Sequence, residues 1–294
     1  MKILVPVDFS DITNAVLRTT KKIVEAHGGE VILFHAVSPI IYMPHAEGVS
    51  IDIIDVKLLQ EIEATKKSEA MEKLASLKEF LKPVPVRAVA EVGDPRDLIL
   101  EAEERENPDL LVIGSHKKGL VERILIGSTA EKIVKHSKKP VLTIKGAEPN
   151  LSGKVVVAYD FSKTAEDMVK FAIRFLKPFG AEVVLLHIDE PIELPVVEKI
   201  GRVIYQKYKQ EKAKYLNKLK DRFSGEGFRI TTRSVEGKDP AEGIIKCVEE
   251  EKPDLLLMGS RGLSGLKRIF LGSTSTKVLR EVEVPVLLHK EGKR

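Results

Sequence analysis

The chain has 294 residues, 43% of them hydrophobic and 31% charged, with a formal net charge of +4. This length predicts about two globular domains, and the single cysteine, Cys247, excludes an intramolecular disulfide and favours a reducing cytoplasm. The small charge, the absence of Trp and the low aromatic content argue against a nucleic-acid partner. No apolar run approaches the roughly 20 residues of a membrane span, and the start is too short and acidic for a signal peptide. We therefore expect a cytoplasmic protein that binds neither nucleic acid nor membrane.

Short apolar runs alternate with helical patterns along the first half. Five runs predict strands, at Ile3–Val7, Val31–His35, Val86–Val92, Leu110–Ile113 and Val141–Ile144. Runs that are apolar on both faces are typical of a buried parallel sheet. Apolar residues at helical spacing predict a helix after the first strand, with a face made of Val16, Leu17, Thr20, Ile23 and Val24. Asp94-Pro95, and its counterpart Asp239-Pro240 in the second half, predict a helix start before the fourth strand, because Asp caps helices and Pro suits their first position.

The second half repeats this pattern. Lys2–Ser10 returns as Lys154–Ser162, 152 residues later, and Pro140-Val141-Leu142 returns as Pro285-Val286-Leu287, 145 residues later. The first half therefore carries seven extra residues, between His35 and Asp94. We predict two domains, 1–146 and 153–294, joined by a polar, turn-forming stretch. Each would be a doubly wound α/β domain with right-handed crossovers and a ligand cleft at the carboxyl ends of its strands.

The strongest chemical pattern follows the fourth strand of the second half. Gly259, Gly262 and Gly272-Ser273 form the spacing G-x2-G-x9-G-[ST]. Gly272-Ser273-Thr274 is predicted to open a helix that continues over Thr276 to Arg280 and beyond. Glycines let the backbone approach a phosphate, and a helix N-terminus offers free amides. Arg261 would add a guanidinium to such a site. The alternative is a glycine-rich loop that only turns the chain.

A second pattern, Asp-Phe-Ser, ends the first strand of each half. Asp8 and Asp160 are interpreted as ligand contacts, although each would also serve to end its strand. Ser10 and Ser162 are interpreted as caps of the helix that follows.

A histidine ends the second strand of each half. His35 and His187 are interpreted as sheet-end residues with a satisfied hydrogen bond. Ala36 and Ile188, which follow them, would form an apolar seat for a base. Because strands one and four of such a sheet are neighbours, the three patterns are expected to meet at one cleft.

Both halves resemble the universal stress protein domain, and the glycine motif of the second half resembles the ATP-binding signature of that family. The resemblance implies a five-stranded parallel sheet of order 3-2-1-4-5 in each half. It also implies pairing of the halves through their last strands, as a pseudo-dimer within the chain, with a further homodimer left open. The implied ligand is ATP, ADP or AMP, with Mg²⁺ beside a triphosphate. The implied site comprises Ala158, Asp160, Phe161, Ser162, Ile188, Met258, Gly259, Arg261, Gly262, Gly272, Ser273 and Thr274.

The first half departs from this pattern at two positions. Lys117 stands where the second half has Gly262, and Asp11 stands where it has Lys163. The Lys117 side chain would either block close approach of the backbone or replace a lost amide contact by its charge. Asp11 would place an acid near a phosphate, which opposes binding. We therefore predict a weaker or altered first site. Its residues are Pro6, Asp8, Phe9, Ala36, Gly114, His116, Gly127, Ser128 and Thr129.

These patterns favour a nucleotide-dependent sensor or signalling module. A slow ATPase is the first alternative, but the chain has no G-x-x-x-x-G-K-[ST] loop and no evident nucleophile with its base, so no catalytic residue and no protein metal site is assigned. A scaffold that binds no nucleotide is the second alternative. The Lys-Glu stretches Glu61–Lys78 and Lys207–Lys220 are interpreted as solvated helix faces.

Overall fold

The computed structural model describes residues 1–39, 56–115, 127–146, 148–190, 198–260 and 271–290. In the first half, strands and helices alternate. In chain order they are β1 (Lys2–Pro6), α1 (Thr13–His27), β2 (Glu30–Val37), α2 (Val56–Leu81), β3 (Val86–Val92), α3 (Pro95–Glu106), β4 (Leu110–Ser115), α4 (Ser128–His136) and β5 (Val141–Lys145).

The second half repeats this order, with one added turn of 3-10 helix at Lys177–Phe179. Its elements are β6 (Lys154–Ala158), α5 (Lys163–Leu176), β7 (Glu182–Asp189), α6 (Glu198–Gly225), β8 (Arg229–Glu236), α7 (Pro240–Glu251), β9 (Leu255–Gly259), α8 (Ser273–Glu281) and β10 (Val286–His289).

The ten strands form one sheet of order β3-β2-β1-β4-β5-β10-β9-β6-β7-β8. Each half is parallel throughout and has the order 3-2-1-4-5, as predicted. The halves join where β5 and β10 pair antiparallel, with Leu142 opposite Leu287. The hydroxyl of Thr143 donates across this seam to the carbonyl of Val286, at 3.0 Å. The expected pairing of last strands therefore occurs within the chain.

The predicted strands have the right positions but differ at their ends. The second strand continues past His35 to Val37, because Ala36 and Val37 still pair with Glu91 and Val92 of β3. Alternation of apolar residues cannot show such an extension, since it depends on the neighbouring strand.

The helices lie on both faces of the sheet. Helices α1, α2, α5 and α6 pack on one face and α3, α4, α7 and α8 on the other, each layer closing its own apolar core. All five residues of the predicted α1 face are buried. The double winding leaves the carboxyl ends of the strands uncovered between the two helix layers, where loops and helix N-termini meet.

Three of the four predicted helix caps are present. The carboxylates of Asp94 and Asp239 accept the N–H groups of the second residues of α3 and α7, each at 2.8 Å. Ser162 caps α5 by accepting the N–H of Ala165 at 3.1 Å.

The prediction that Ser10 caps the first helix is wrong. The N-cap of α1 is Ile12, with no side-chain cap, and the Ser10 hydroxyl donates to the carboxylate of Asp8. Relative to α5, α1 begins two residues further along its repeat, so Ser10 lies in the turn before the helix.

Candidate functional site

Each half has a cavity at the carboxyl ends of its strands. The first cavity encloses about 560 Å³ and the second about 580 Å³. Both open where the first strand of the half lies between its second and fourth strands, which is where the strand order reverses. Cavities of about 300–1,000 Å³ at such a switch point are typical sites for small ligands.

The second cavity gathers most of the residues that the sequence predicted for it. They come from the ends of β6, β7 and β9 and from the start of α8. Those that line the cavity are Ala158, Asp160, Phe161, Ile188, Met258, Gly259, Gly272, Ser273 and Thr274. Ser162 is not part of the lining, because its hydroxyl is turned towards the start of α5. Arg261 and Gly262 lie outside the described residues.

The first cavity gathers the corresponding residues of the first half. Its lining includes Pro6, Asp8, Phe9, Ala36, Gly114, Gly127, Ser128 and Thr129. His116, together with Lys117, lies outside the described residues. Both predicted constellations thus converge in space, although their members are separated by more than 100 residues along the chain.

The Asp-Phe-Ser loops hold the same strained backbone in both halves. Phe9 has φ 59° and Phe161 has φ 61°, in the left-handed region that bulky side chains rarely adopt. The Asp carboxylate braces the loop by accepting the N–H of the Ser two residues later, at 3.1 Å from Asp8 and at 3.0 Å from Asp160. Strained backbone of this kind, here on a cavity wall in both halves, is typical of functional sites.

The two histidines tie these loops to the next strand. Nδ1 of His35 bonds the carbonyl of Val7 at 2.8 Å, and Nδ1 of His187 bonds the carbonyl of Tyr159 at 2.9 Å. Each imidazole also contacts the Phe ring of its loop: the ring centroids of His35 and Phe9, and those of His187 and Phe161, are 4.5 Å apart. Burial lowers the pKa of His187, although its bond to Tyr159 opposes this. The interpretation that each histidine has a satisfied hydrogen bond is confirmed, but neither ends its strand, since β2 and β7 continue to Val37 and Asp189.

The N-terminus of α8 forms the opposite wall of the second cavity. Ser273, Thr274 and Ser275 occupy its first turn, where backbone N–H groups have no partner within the helix. The Ser275 hydroxyl fixes this turn to the sheet by donating to the carbonyl of Gly259 at 2.9 Å. The helix begins at Ser273, within the Gly272-Ser273-Thr274 stretch that was predicted to open it. A fixed helix N-terminus on a cavity wall attracts an anion.

Side chains from α6 form a wall that the sequence did not predict. Tyr208 and Lys212 line the second cavity, and the Lys212 ammonium lies 3.0 Å from Nε2 of His187 and 3.3 Å from Asp189. Burial acts to raise the pKa of Asp189, but the hydroxyl of Ser234 and the nearby Lys212 and His187 hold it below its usual value. The prediction of a solvated face is therefore wrong for Lys212, whose side chain is only 15% exposed. The available signal was the helical spacing of Tyr208, Lys212 and Tyr215, which places the lysine on the same helix face as the two tyrosines.

An apolar seat lies beside the end of β7. A Cβ on Gly243 would approach the Ile188 side chain to 2.7 Å, so the glycine of α7 makes room for it. The corresponding residues of the first half, 145 and 152 positions earlier, are Leu98 and Ala36. In the second half the strand residue is the larger of the two, and in the first half the helix residue is. The residues at these positions are therefore apolar in both halves.

Among the described residues, no group of three or more His, Cys, Asp or Glu is placed to hold a metal ion. Across the same ranges, no helix combines the length and apolarity required to cross a bilayer.

Comparison with known proteins gives matches over almost the whole chain. The Universal stress protein family matches residues 1–145 and, a second time, residues 152–290. A universal stress protein of Methanocaldococcus jannaschii is 34% identical over 148 residues, which are 49% of this chain and 86% of that protein. Another, of Mycolicibacterium smegmatis, is 24% identical over 295 residues, covering 97% of this chain and 96% of that protein.

A solved structure agrees with the fold of the full chain. The crystal structure of a universal stress protein from Archaeoglobus fulgidus superposes with a TM-score of 0.75 and 24% identity, covering 98% of each chain. The double family match, the tandem relative and the shared fold lead to one conclusion: the chain belongs to the universal stress protein family, in its tandem form.

Proposed function

We propose that this chain binds an adenine nucleotide in the second cavity and acts as a nucleotide-dependent sensor or signalling module. The observation that carries the proposal is the wall of the second cavity. There the first turn of α8 and Asp160 line the same space. An anion-binding end and a hydrogen-bond acceptor in one cavity are what a nucleotide requires.

Each part of a nucleotide has a partner of suitable chemistry. The amides of Ser273 and Thr274 suit the phosphates, and the resemblance adds Arg261 and Gly262 to that end. Asp160 would accept from the ribose or from the adenine edge, and Ile188 and Met258 would flank the base. Mg²⁺ would accompany a triphosphate by binding its phosphate oxygens.

The first cavity is proposed to bind the same ligand more weakly. Its lining has the same loop, histidine and helix N-terminus. Lys117 in place of Gly262 and Asp11 in place of Lys163 would oppose close approach of a phosphate. One nucleotide per chain is therefore the expected occupancy at moderate concentration.

Nucleotide binding in the second cavity would be transmitted to the first half through α8 and β10. Helix α8 starts at the cavity, and β10 follows it directly and pairs with β5 of the first half. A ligand that orders the start of α8 would therefore act close to the seam between the halves. This route supports a signalling role for the pair of domains.

Release and counting of bound nucleotide would test the proposal. Freshly purified chain is denatured, and any released nucleotide is identified by chromatography and counted per chain. About one adenine nucleotide per chain is expected from a single tight site. Two would contradict the ranking of the cavities. None, followed by a flat calorimetric titration with ATP, would contradict nucleotide binding and favour a scaffold.

A second assay separates binding from hydrolysis. Phosphate release is followed with ATP and Mg²⁺ in the parent chain and in Asp160→Ala. No turnover beyond the background is expected from a sensor. Steady release that disappears in the variant would instead identify a slow ATPase.

A further inference from the structure

A buried lysine of the first half contacts a helix of the second. Lys145, the last residue of β5, is 4% exposed. Its ammonium crosses the seam and donates to the carbonyls of Leu279 and Val282, the latter at 2.7 Å. These carbonyls belong to the end of α8, the helix whose first turn lines the second cavity.

The second half returns the same contact. Lys290 directly follows β10, is 7% exposed and donates to the carbonyl of Val134 in α4. Lys290 and Leu279 each come 145 residues after Lys145 and Val134, so the two contacts are equivalent under the repeat. Helix α4 is the one whose first turn lines the first cavity.

These contacts satisfy groups that have no other partner within their helices. The last carbonyls of a helix lack intrahelical donors, and a cation there also favours the negative end of the helix dipole. Burial lowers the pKa of Lys145 to about 8, so the side chain stays largely protonated at neutral pH. Since the lysine is buried, its removal would leave these carbonyls without replacement by water.

The orientation of each helix therefore depends on contacts at both of its ends. Helices α4 and α8 have nine residues each, about 13 Å from end to end. At one end is a cavity of the helix's own half, and at the other end is a lysine of the opposite half. Helix α8 has a further attachment at its cavity end through Ser275, where α4 has Ala130. A short rigid helix released at one end changes the aim of its amides at the other.

We infer that Lys145 and Lys290 are positioning residues for the anion-binding helix of the opposite half, so that each cavity depends on the other half for its geometry. This inference rests on the proposed nucleotide function. It predicts a crossed pattern: loss of Lys145 weakens the second cavity, and loss of Lys290 weakens the first.

Hydrogen–deuterium exchange of the full chain tests this, because its peptides report each half separately. ATP is titrated, and protection of the first turns of α4 and α8 is followed in the parent, Lys145→Met and Lys290→Met. The midpoint for α8 is expected to shift about tenfold in Lys145→Met with α4 unchanged, and the reverse in Lys290→Met. Arg280→Ala is the control, since it removes an exposed ion pair across the halves, with Glu131, and should shift neither midpoint.

The outcomes separate this inference from the proposed function. If ATP protects neither helix in the parent chain, nucleotide binding fails and the inference falls with it. If ATP protects α8 but Lys145→Met shifts both helices equally or neither, only the inference is overturned. Lys145→Arg, which keeps cationic donors, is expected to restore part of the affinity, as a packing role would not.

A measurement on the parent chain covers the case in which the methionine variants do not fold. In ¹⁵N-lysine-labelled protein, the slowly exchanging ammonium of Lys145 is observed by NMR. Its resonance is expected to move with ATP in step with protection of α8. A resonance that stays fixed while α8 becomes saturated would overturn the inference.

Discussion

The two halves share a frame and differ in the wall that covers it. Leu216 and Phe223 of α6 are buried like Leu74 and Leu81 of α2, 142 residues earlier. The same offset places Lys212 opposite Ala70. Charged side chains therefore reach the two cavities from different positions: Lys212 lines the second, whereas Lys66, Glu69 and Lys73 of α2 line the first. Lys73 lies over the Phe9 ring as Lys212 lies over the Phe161 ring.

At other positions around the cavities, the second half has a polar residue where the first has an apolar one. Asp189, which holds Lys212, corresponds to Val37, and Ser275, which fixes the start of α8, corresponds to Ala130. By contrast, the strained Asp-Phe-Ser loops and the histidine contacts are the same in both halves. The comparison teaches that the frame of the cleft is kept after duplication, while the side chains around it differ between the halves.

The largest expected effect comes from the acids that line the cavities. Asp160→Ala should weaken ATP binding at the second cavity by roughly 10- to 100-fold, because a charged hydrogen bond is lost. Asp8→Ala should affect only the weaker binding phase, which belongs to the first cavity. Calorimetric titration of both variants measures this. Asp160→Asn, which retains an acceptor for the Ser162 N–H, controls for loop collapse. A tight phase lost in Asp8→Ala alone would reverse the ranking of the halves.

An exchange at the second glycine of the motif tests the same ranking more directly. Gly262→Lys is expected to weaken the tighter site about tenfold, and Lys117→Gly to strengthen the weaker one. Both positions lie outside the described residues, so the expectation comes from the sequence motif. Affinities and stoichiometry are read by calorimetry. Unchanged values in Gly262→Lys would show that this position does not distinguish the halves.

The serines of the two loops should differ in their effect on stability. Ser162→Ala removes a helix cap and should cost about 1 kcal/mol of unfolding free energy. Ser10→Ala should cost less, since Ser10 caps no helix. Urea unfolding followed by circular dichroism gives both values. Equal losses would mean that the difference between the two helix starts is not maintained in solution.

The smallest expected effect is on the pH dependence of the free energy of unfolding, through His289 in β10. Burial lowers the pKa of His289 to about 4, from 6.5 when exposed, whereas its counterpart in the first half is Ile144. The unfolded chain therefore binds more protons between these values, and stability falls as the pH drops through this window. His289→Ile should reduce the loss between pH 7 and pH 6 by on the order of 0.5 kcal/mol.

Urea midpoints at both pH values measure the last effect. Between pH 7 and pH 8, where the imidazole is neutral in both states, the parent and the variant should change equally. An identical acid loss in the two chains would show that His289 does not contribute to it.

The predictable parts of this protein are those that depend on local pattern or on the repeat. Asp94 and Asp239 announce their helices because a cap and its helix are adjacent in sequence. The cavity residues that are described could be placed together because all follow strand ends, which meet at one edge of a parallel sheet. Lys145 and Lys290 were missed, although they repeat after the last strands, because their acceptors lie 134 and 156 residues away.

The sequence by itself determined the duplication, the alternation of strands and helices, and the position of each strand along the chain. These follow from periodicity and from turn and cap chemistry, which act over a few residues. Only the tertiary structure decided that Lys212 covers a cavity instead of facing solvent, that Ser10 caps nothing, and that each half holds the far end of a helix of the other. Such contacts arise when distant segments pack, and packing depends on the whole fold.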